Sequence, residues 1–246
     1  MESAVATGSR AYRSSHREGQ ARRTRQRMIA AATTIFLDGG YAAATMRAIA
    51  GGAGVSVPTV ESTFGTKARV LKAAIDVAIV GDDEPVAALD RPWTEAALAA
   101  STAAELLAVV AGVLGPAQAR SAGLVLAAFE GGGTNAELAE LSAQLTAQRA
   151  VTAGWLVDRL AAVAPRRTEL NREDAIDTVW IVMDPAVFAR LTRHRGWTVE
   201  HYEHWFAESI TRLIVGAVTP IPTKVVVPNR PKPPARPETG ASHEQQ

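Results

Sequence analysis

Two short apolar segments near the N-terminus, separated by turn-forming residues, most constrain the fold of this chain. The first has apolar residues at positions i, i+3, i+4 and i+7, the spacing of one helical face: Met46, Ile49, Ala50 and Ala53. Thr45 precedes this segment as a candidate N-cap, and a glycine follows it where a left-handed residue commonly ends a helix. The pattern predicts a short helix with one buried face.

A second short helix follows directly. Ser56 is a candidate N-cap, Pro58 falls in the first turn, where its missing backbone N–H is harmless, and Phe64 closes the segment. Two helices of about eight residues across a tight turn form a helix-turn-helix, in which the second helix enters the major groove of DNA. Helical corners that bind no DNA share part of this pattern.

The distribution of charge supports the interpretation as a DNA-binding protein. The whole chain carries a net charge of +1, but residues 1–27 contain seven arginines against two glutamates. Residues 81–219 contain 11 basic and 18 acidic residues. Clustered arginine at one end of a chain is typical of a surface that binds a polyanion. For residues 1–20 alone, a disordered, solvated arm is the alternative.

Composition excludes several classes of protein. The chain has no cysteine, which rules out disulfides, iron–sulfur clusters and cysteine nucleophiles. No stretch reaches the roughly 18 uninterrupted apolar residues of a membrane span. Residues 22–37 imitate a signal peptide, but Thr33, Thr34 and Asp38 interrupt the apolar run and favour an amphipathic helix. We therefore expect a cytoplasmic protein that does not bind a membrane.

The rest of the chain is predicted to be helical. We expect a first helix at 22–37 ended by Gly39 and Gly40, a helix that Thr66 caps, and helices at 94–114, 117–130, 135–163, 172–193 and 199–217. A break is predicted at Gly115 and Pro116, and Pro185 should split the helix over 172–193 near Asp184. The predicted organisation is a disordered arm over 1–20, a DNA-binding domain over 21–81, a helical domain over 82–219, and a proline-rich disordered tail over 220–246.

Residues 22–80 resemble the DNA-binding domain of tetracycline-repressor (TetR) type transcriptional regulators. The residues that carry the resemblance are Met28, Ile29, Ala32, Ile35, Phe36, Gly40, Tyr41, Thr45, Ile49, Ala50, Ala53, Gly54, Val55, Ser56, Thr59, Val60, Phe64, Lys67 and Leu71. The resemblance implies an all-α homodimer with an N-terminal three-helix DNA-binding domain and a C-terminal helical domain for ligand binding and dimerisation.

The same resemblance implies which residues contact DNA. It places a phosphate contact at Thr45 with Arg47 beside it, and Lys67 as a phosphate ligand at the start of the next helix. The recognition helix and its cap supply the other predicted DNA contacts: Ser56, Val57, Pro58, Thr59, Glu61, Ser62 and Thr63. Glu61 and Thr63 depart from the family, which usually has an aromatic residue at the first position and histidine or tyrosine at the second. Gly51 and Gly52 are also unusual inside a helix.

Two further sets of residues are candidates for function in the C-terminal part. An apolar effector pocket is predicted from Trp93, Phe129, Trp155, Trp180 and Met183. A dimer interface is predicted from the aromatic and aliphatic residues of the last two helices, because their number exceeds what one internal face needs: Trp180, Phe188, Leu191, Tyr202, Trp205, Phe206, Ile210 and Leu213.

No motif indicates a cofactor or a metal. His201 and His204 could share a helical face, but no third ligand is visible in the sequence, so a solvated stripe is the preferred interpretation. The favoured function is a dimeric regulator, a repressor, that binds a palindromic double-stranded DNA operator and is released by a largely apolar small molecule. A small helical enzyme and a protein-interaction module that uses the arginine arm and proline tail are the alternatives.

Overall fold

A computed structural model describes residues 6–84 and 86–216, with side chains from residue 19 onward. The predicted tail over 220–246 lies outside the described residues. In the described part the chain is all α-helical, as predicted, and its one strand-like contact is an isolated antiparallel bridge between Arg166 and Val215. The helices are α1 (Ala6–Ala43), α2 (Met46–Ala53), α3 (Val57–Phe64), α4 (Lys67–Val80), α5 (Pro92–Ala99), α6 (Ala103–Gly131), α7 (Ala136–Val163), α8 (Arg172–Val182), α9 (Pro185–Ala189) and α10 (Val199–Ile214).

The first helix differs from its predicted extent. It begins at Ala6 instead of near residue 22, so residues 6–20, expected to be disordered, are helical. Arginine and serine are the most frequent residues in this stretch, and a helix can extend through such a segment once a packed segment next to it has nucleated the helix. At the other end Gly40 leaves the helical region with φ of 70° and ψ of 175°, which matches the predicted glycine stop.

The predicted break at Gly115 and Pro116 is wrong, because α6 runs through both residues. Proline removes one helical hydrogen bond, but tertiary packing holds the helix together on both sides of it. Gly115 has a different role: the side chain of Glu203 from α10 occupies the space that a Cβ would take. The break lies earlier, after Ala99, where Thr102 and Glu105 form a reciprocal capping box at the start of α6.

The predicted split at Pro185 is confirmed. Proline lies in the first turn of α9, and Asp184 caps this helix by accepting a hydrogen bond from the N–H of Ala186. A π-helical turn, Arg190–His194, follows before α10.

The buried apolar residues form two clusters, which we call the first core and the second core. The first core joins α1 to α4 and also includes residues of α6 and α7: Leu124, Val125, Ala128, Leu138, Leu141 and Leu145. The second core is built from α5 to α10 alone. Helix α6 contributes to both and packs against α1, α4, α5, α7, α9 and α10. In the described part it is also the one helix with the length and apolar content of a membrane span.

Candidate nucleic-acid interface

Three consecutive helices begin with the same hydroxyl cap. Thr45, Ser56 and Thr66 have extended backbones, and each side-chain oxygen accepts a hydrogen bond from the backbone N–H three residues later. Each cap satisfies a backbone donor that a helix start leaves open. The sequence pattern predicted all three caps, and they fix where α2, α3 and α4 begin.

The turn between α2 and α3 depends on glycine. Gly54 adopts φ of 65° and ψ of 42°, a left-handed conformation that side chains with a Cβ rarely adopt. Its N–H donates to the carbonyl of Gly51, and the next N–H, that of Val55, donates to Ala50 at 3.0 Å. These bonds close α2 and turn the chain into α3.

Helix α3 has one buried face and one exposed face. Val60 and Phe64 are buried in the first core, whereas Pro58 and residues 61–63 are exposed. Val57 and Thr59 are half-buried at the boundary. Val60 and Phe64 lie four residues apart and therefore share the inner face of the helix. The predicted DNA contacts at Pro58 and residues 61–63 lie on the opposite, exposed face.

Hydroxyl groups line this exposed face. The hydroxyls of Ser62 and Thr63 donate to the carbonyl of Thr59, at 3.0 and 2.8 Å. The hydroxyls of Ser56 and Thr59 lie 2.8 Å apart at the start of the helix. A hydroxyl that donates to its own helix keeps lone pairs for a donor from outside. Glu61 lies among these groups as an exposed carboxylate.

Arginines lie near both ends of α3, and three of them were not among the predicted site residues: Arg25, Arg27 and Arg69. The Arg25 guanidinium lies 4.8 Å from the centre of the Phe64 ring. Arg27 approaches the turn at Gly54, and Arg69 approaches Gly65 after α3. Their positions on α1 and α4 relative to α3 depend on tertiary packing, although the excess of arginine before residue 28 indicated a basic surface. Arg47, which was predicted, is exposed on α2.

Lys67 has a structural contact that the sequence did not indicate. Its ammonium donates to the carbonyls of Tyr41 and Ala44, at 2.7 and 2.8 Å, and lies 4.1 Å from the centre of the Tyr41 ring. Partial burial lowers the pKa of the Lys67 ammonium below its usual value. Two of its three N–H donors are thus used to hold the end of α1, and one remains for a phosphate.

Two carboxylates in the segment after α4 each bind an arginine. Asp83 accepts hydrogen bonds from Arg22 at 2.8 Å and from Gln26 at 3.1 Å, which ties α1 to this segment. Asp82 accepts two hydrogen bonds from Arg91, at 2.5 and 2.9 Å. The Arg91 guanidinium lowers the pKa of Asp82 to about 2, and the Arg22 guanidinium likewise lowers the pKa of Asp83.

A single arginine of α6 holds the C-terminal end of α4. Arg120 donates to the carbonyls of Ala78 at 2.9 Å and Ile79 at 3.3 Å. The last carbonyls of a helix have no partner within it, and a guanidinium satisfies two of them at once. No local pattern in the sequence indicates this contact, because 42 residues separate Arg120 from Ala78.

Four of the five residues of the predicted effector pocket belong to the second core, and the fifth, Phe129, belongs to the first. The indole rings of Trp93 and Trp155 meet edge to face with centres 5.5 Å apart, in the second core. The guanidinium carbon of Arg149 lies 4.2 Å from the centre of the Trp180 ring. Met183 is buried. Phe129 packs against the first core, with α1 and α4, and therefore does not line a common space with the others.

Half of the predicted dimer residues are buried within the single chain. Phe188, Tyr202, Phe206 and Ile210 have at most 5% of their surface exposed, so they form part of the second core and cannot contact a partner. These four aromatic and aliphatic residues therefore belong to the packing between α10 and the other helices, of which α6 packs against α10. The other predicted residues keep exposed surface: Trp180, Leu191, Trp205 and Leu213.

The two histidines of α10 face different neighbours. His201 stacks on Trp197 with ring centres 3.9 Å apart, whereas His204 is exposed beside Glu208. Within residues 6–84 and 86–216, no three side chains of metal-binding type come together.

Residues 28–74 match the family model described as bacterial regulatory proteins, tetR family. No curated protein matches the chain in sequence. Solved structures match in fold at low identity. A TetR transcriptional regulator from Chloroflexus aurantiacus has 19% identity and a TM-score of 0.57, with 80% of this chain and 99% of that one covered.

Two further structures contain ligands. A transcriptional regulator from Saccharomonospora viridis in complex with choline has 17% identity and a TM-score of 0.59, over 78% of this chain and 98% of that one. The regulator FadR from Bacillus subtilis in complex with stearoyl-CoA has 17% identity and a TM-score of 0.58, over 75% and 96%. Residues 28–74 are therefore similar to the DNA-binding segment described by the tetR family model, and the chain shares the helical fold of these solved structures.

Proposed function

We propose that this protein is a cytoplasmic DNA-binding repressor that binds a palindromic operator as a homodimer and is released by a small molecule. The observation that carries the proposal is the exposed, hydroxyl-lined face of α3, with arginines at both of its ends. Such a face offers hydrogen-bonding groups to base edges, while the arginines attract phosphates. The family match of residues 28–74 supports it independently.

The proposed DNA contacts divide into two kinds. Thr45, Arg47 and the free N–H of Lys67 contact phosphates and fix the position of α3 on the duplex. The side chains of α3 face the bases. The basic surroundings supply affinity that depends on salt, because binding to phosphates releases counterions.

Selection of a binding site from random duplexes, followed by a salt titration, tests this function. We expect the logarithm of affinity to fall linearly with the logarithm of salt concentration, with a slope of about 0.9 for each phosphate contacted. Thr63→Glu places a carboxylate on the exposed face of α3 and should weaken binding at least about tenfold.

Thr34→Glu is the matched control. Thr34 is also exposed, lies on α1, and donates its hydroxyl to the carbonyl four residues earlier, as Thr63 does. We expect Thr34→Glu to change the affinity much less than Thr63→Glu does. Equal effects of the two variants, or affinity that does not respond to salt, would contradict a role for α3 in reading DNA.

Glu61 is proposed to set the choice of operator. A carboxylate near phosphates is repulsive, but it can accept a hydrogen bond from cytosine N4 in the major groove. We expect Glu61→Gln to relax the preference at one base pair in each half-site, by about 1–3 kcal/mol. Affinities for the operator and its single-base variants, at one salt concentration, measure this. Uniformly tighter binding to every sequence would show that Glu61 only repels phosphate.

Dimerisation is proposed through the exposed side of α8 and α10. Trp180, Trp205 and Leu213 keep exposed surface there, as does Leu191 in the π-helical turn before α10, and Ile181 is 54% exposed. Two such helices packed against their symmetry mates would form a four-helix interface. Sedimentation at micromolar concentration should show a dimer that Ile181→Glu converts to a monomer, and a monomeric wild type would contradict this interface.

A further inference from the structure

One exposed side of α1 carries a groove, which we call the α1 groove. It has a volume of about 520 Å³, and the described residues that line it are Gln20, Arg23, Thr24, Gln26, Arg27 and Ala30. Most of them recur every three or four positions, the spacing of one side of a helix. The lining includes two arginines and two glutamines but no carboxylate. The α1 groove is therefore basic and rich in hydrogen-bond donors.

The arginines of α1 differ in what they contact. Arg22 pairs with Asp83, and Arg25 lies over an aromatic ring of α3. Arg23 and Arg27 are exposed, and among the described residues the arginine of α1 that forms ion pairs is Arg22. An exposed guanidinium without a carboxylate keeps its N–H donors for an anion from outside. The two arginines of the α1 groove thus suit an anionic partner.

The α1 groove reaches the start of α3. A terminal nitrogen of Arg27 lies 3.9 Å from the position that a Cβ would take on Gly54, in the turn between α2 and α3. Arg23 lies about one helical turn earlier, and its terminal nitrogen lies 3.5 Å from the corresponding position at Gly19. The two guanidiniums are therefore placed one after the other along a line that leads away from α3.

The register of α1 extends this basic side toward the N-terminus. The backbone is helical from residue 6 onward, and a helix turns by about 100° per residue. By this register Arg13 and Arg17 occupy the side of the α1 groove, whereas Glu18 occupies the opposite side. From position 13 to Arg27 the basic side is about 21 Å long at 1.5 Å per residue.

The composition of this part of α1 indicates which polyanion it fits. Residues 6–27 contain no leucine, isoleucine, valine, methionine, phenylalanine or tryptophan. A helix that binds a lipid surface needs an apolar face to insert among the acyl chains, and these residues do not supply one. A basic side that adjoins a helix-turn-helix instead fits the sugar–phosphate backbone of DNA, to which guanidiniums donate paired hydrogen bonds.

We propose that the α1 groove is a second DNA-binding surface, which binds the sugar–phosphate backbone beyond the base pairs that α3 reads. Arg23 and Arg27 each bind a phosphate there. The proposal rests on the DNA binding proposed above and adds a surface that supplies affinity without sequence preference, because phosphates are the same at every base pair.

Salt titrations of the full chain test the surface, on the site selected from random duplexes and on a scrambled duplex of the same length. Arg23→Gln combined with Arg27→Gln removes two phosphate contacts from each protomer. We expect the slope of the logarithm of affinity against the logarithm of salt concentration to become shallower by about 1.8 per protomer, on both duplexes. At about 0.1 M salt the affinity for both should fall at least about tenfold.

The matched control is Arg190→Gln combined with Arg195→Gln. Both arginines are exposed at the π-helical turn, whose neighbours are α9 and α10, so the control removes the same charge far from α3 in the chain. It should change the slope by less than about 0.5. Arg23→Lys combined with Arg27→Lys keeps both charges and should keep most of the slope. Urea unfolding of each variant checks that these exposed substitutions leave the fold intact.

A second pair of variants tests the register of the helix. Arg13→Gln combined with Arg17→Gln should also make the slope shallower, by about 1.8 per protomer. Glu18→Gln, on the opposite side, should change the affinity less than about twofold. A disordered polycationic arm has no sides, and Glu18→Gln would then raise the affinity as strongly as the loss of one arginine lowers it. That result would overturn the helical surface.

The outcomes separate this proposal from the function on which it rests. Equal slopes in the variant of Arg23 and Arg27 and in its matched control overturn the surface even if the wild type selects a site. A changed preference among single-base variants of that site would show that these arginines read bases, which overturns the backbone role. A wild type that binds every duplex alike, with a slope that depends on Arg23 and Arg27, supports the surface and contradicts the proposed operator recognition.

Discussion

The two cores differ in which parts of the chain supply their residues. The second core is formed entirely by residues from Ala97 to Ile214, within the helices after α4. The first core begins with Met28 and is built largely from α1 to α4, but it is completed by six residues of α6 and α7. Helices α1 to α4 therefore do not enclose their own core, whereas the helices after α4 do.

This difference shows how the two parts depend on each other. Leu124 is fully buried against the first core, while Leu107, on the same helix, is buried in the second. Helix α6 therefore belongs to both cores, and a substitution in its C-terminal half acts on the first core, which supports α3 and its proposed DNA-binding face. The following experiments test this dependence, from the largest expected effect to the smallest.

Leu124→Ala should destabilise the protein by about 3 kcal/mol, because it removes a buried side chain and leaves a cavity in the first core. Urea unfolding followed by far-ultraviolet circular dichroism measures this. Leu107→Ala, in the second core, is the matched control and should cost a similar amount in the same single transition. Two separate transitions, with each variant affecting only one of them, would show that the cores are independent.

Lys67→Ala should destabilise the protein by about 1–2 kcal/mol, because the carbonyls of Tyr41 and Ala44 lose a charged donor. The control is Lys72→Ala, whose ammonium pairs with Asp76 on the exposed side of the same helix. Removal of that pair should cost at most about 0.5 kcal/mol. If urea unfolding shows that both variants lose the same free energy of unfolding, the partly buried contact of Lys67 contributes no more to stability than the exposed ion pair does.

The two adjacent glycines of α2 should respond in opposite ways to alanine. A Cβ on Gly51 would meet no atom within 4 Å, so Gly51→Ala should stabilise the protein by about 1 kcal/mol through helix propensity. A Cβ on Gly52 would lie 3.2 Å from the Cβ of Ala31 on α1, so Gly52→Ala should gain nothing or lose stability. A similar gain in both would show that α1 and α2 are not closely packed there.

The smallest effect is expected at the segment that joins the two parts. The pKa of Asp82 is lowered from 3.8 to about 2 by Arg91, so its contribution to stability is present above pH 3.8 and is lost as the pH falls toward 2. Asp82→Asn has no carboxylate at this position, so this pH-dependent loss of stability should be absent from the variant. The free energy of unfolding of wild type and variant, compared between about pH 5 and pH 2.5, should differ less at the lower pH. If the difference in free energy of unfolding between wild type and variant is the same at both pH values, the ion pair between Asp82 and Arg91 does not contribute to stability.

Local signals in the sequence predicted local structure well. Thr45, Ser56 and Thr66 cap their helices, and Gly54 adopts the left-handed turn. Each of these depends on backbone groups within three or four residues, which the spacing of the sequence records directly. The helix stop at Gly40 has the same origin.

Contacts between distant residues could not be predicted in this way. The sequence shows that Tyr202 and Phe206 are aromatic and at helical spacing, but not that both are buried in the second core, where Tyr202 contacts Val182 and Phe188. It likewise shows Lys67 at a helix start without showing the carbonyls of Tyr41 and Ala44, more than twenty residues earlier. Pro116 continues its helix because of packing that no local rule contains.

The shared core also limits how this protein can be recombined with its relatives. A hybrid joined at residue 84, after α4, would place α1 to α4 on a foreign body that lacks the side chains completing the first core. Six positions would have to travel with the grafted segment: Leu124, Val125, Ala128, Leu138, Leu141 and Leu145. The proposed DNA-binding face is therefore transferable only together with a set of discontinuous residues, because no single cut separates α1 to α4 from the side chains that complete their core.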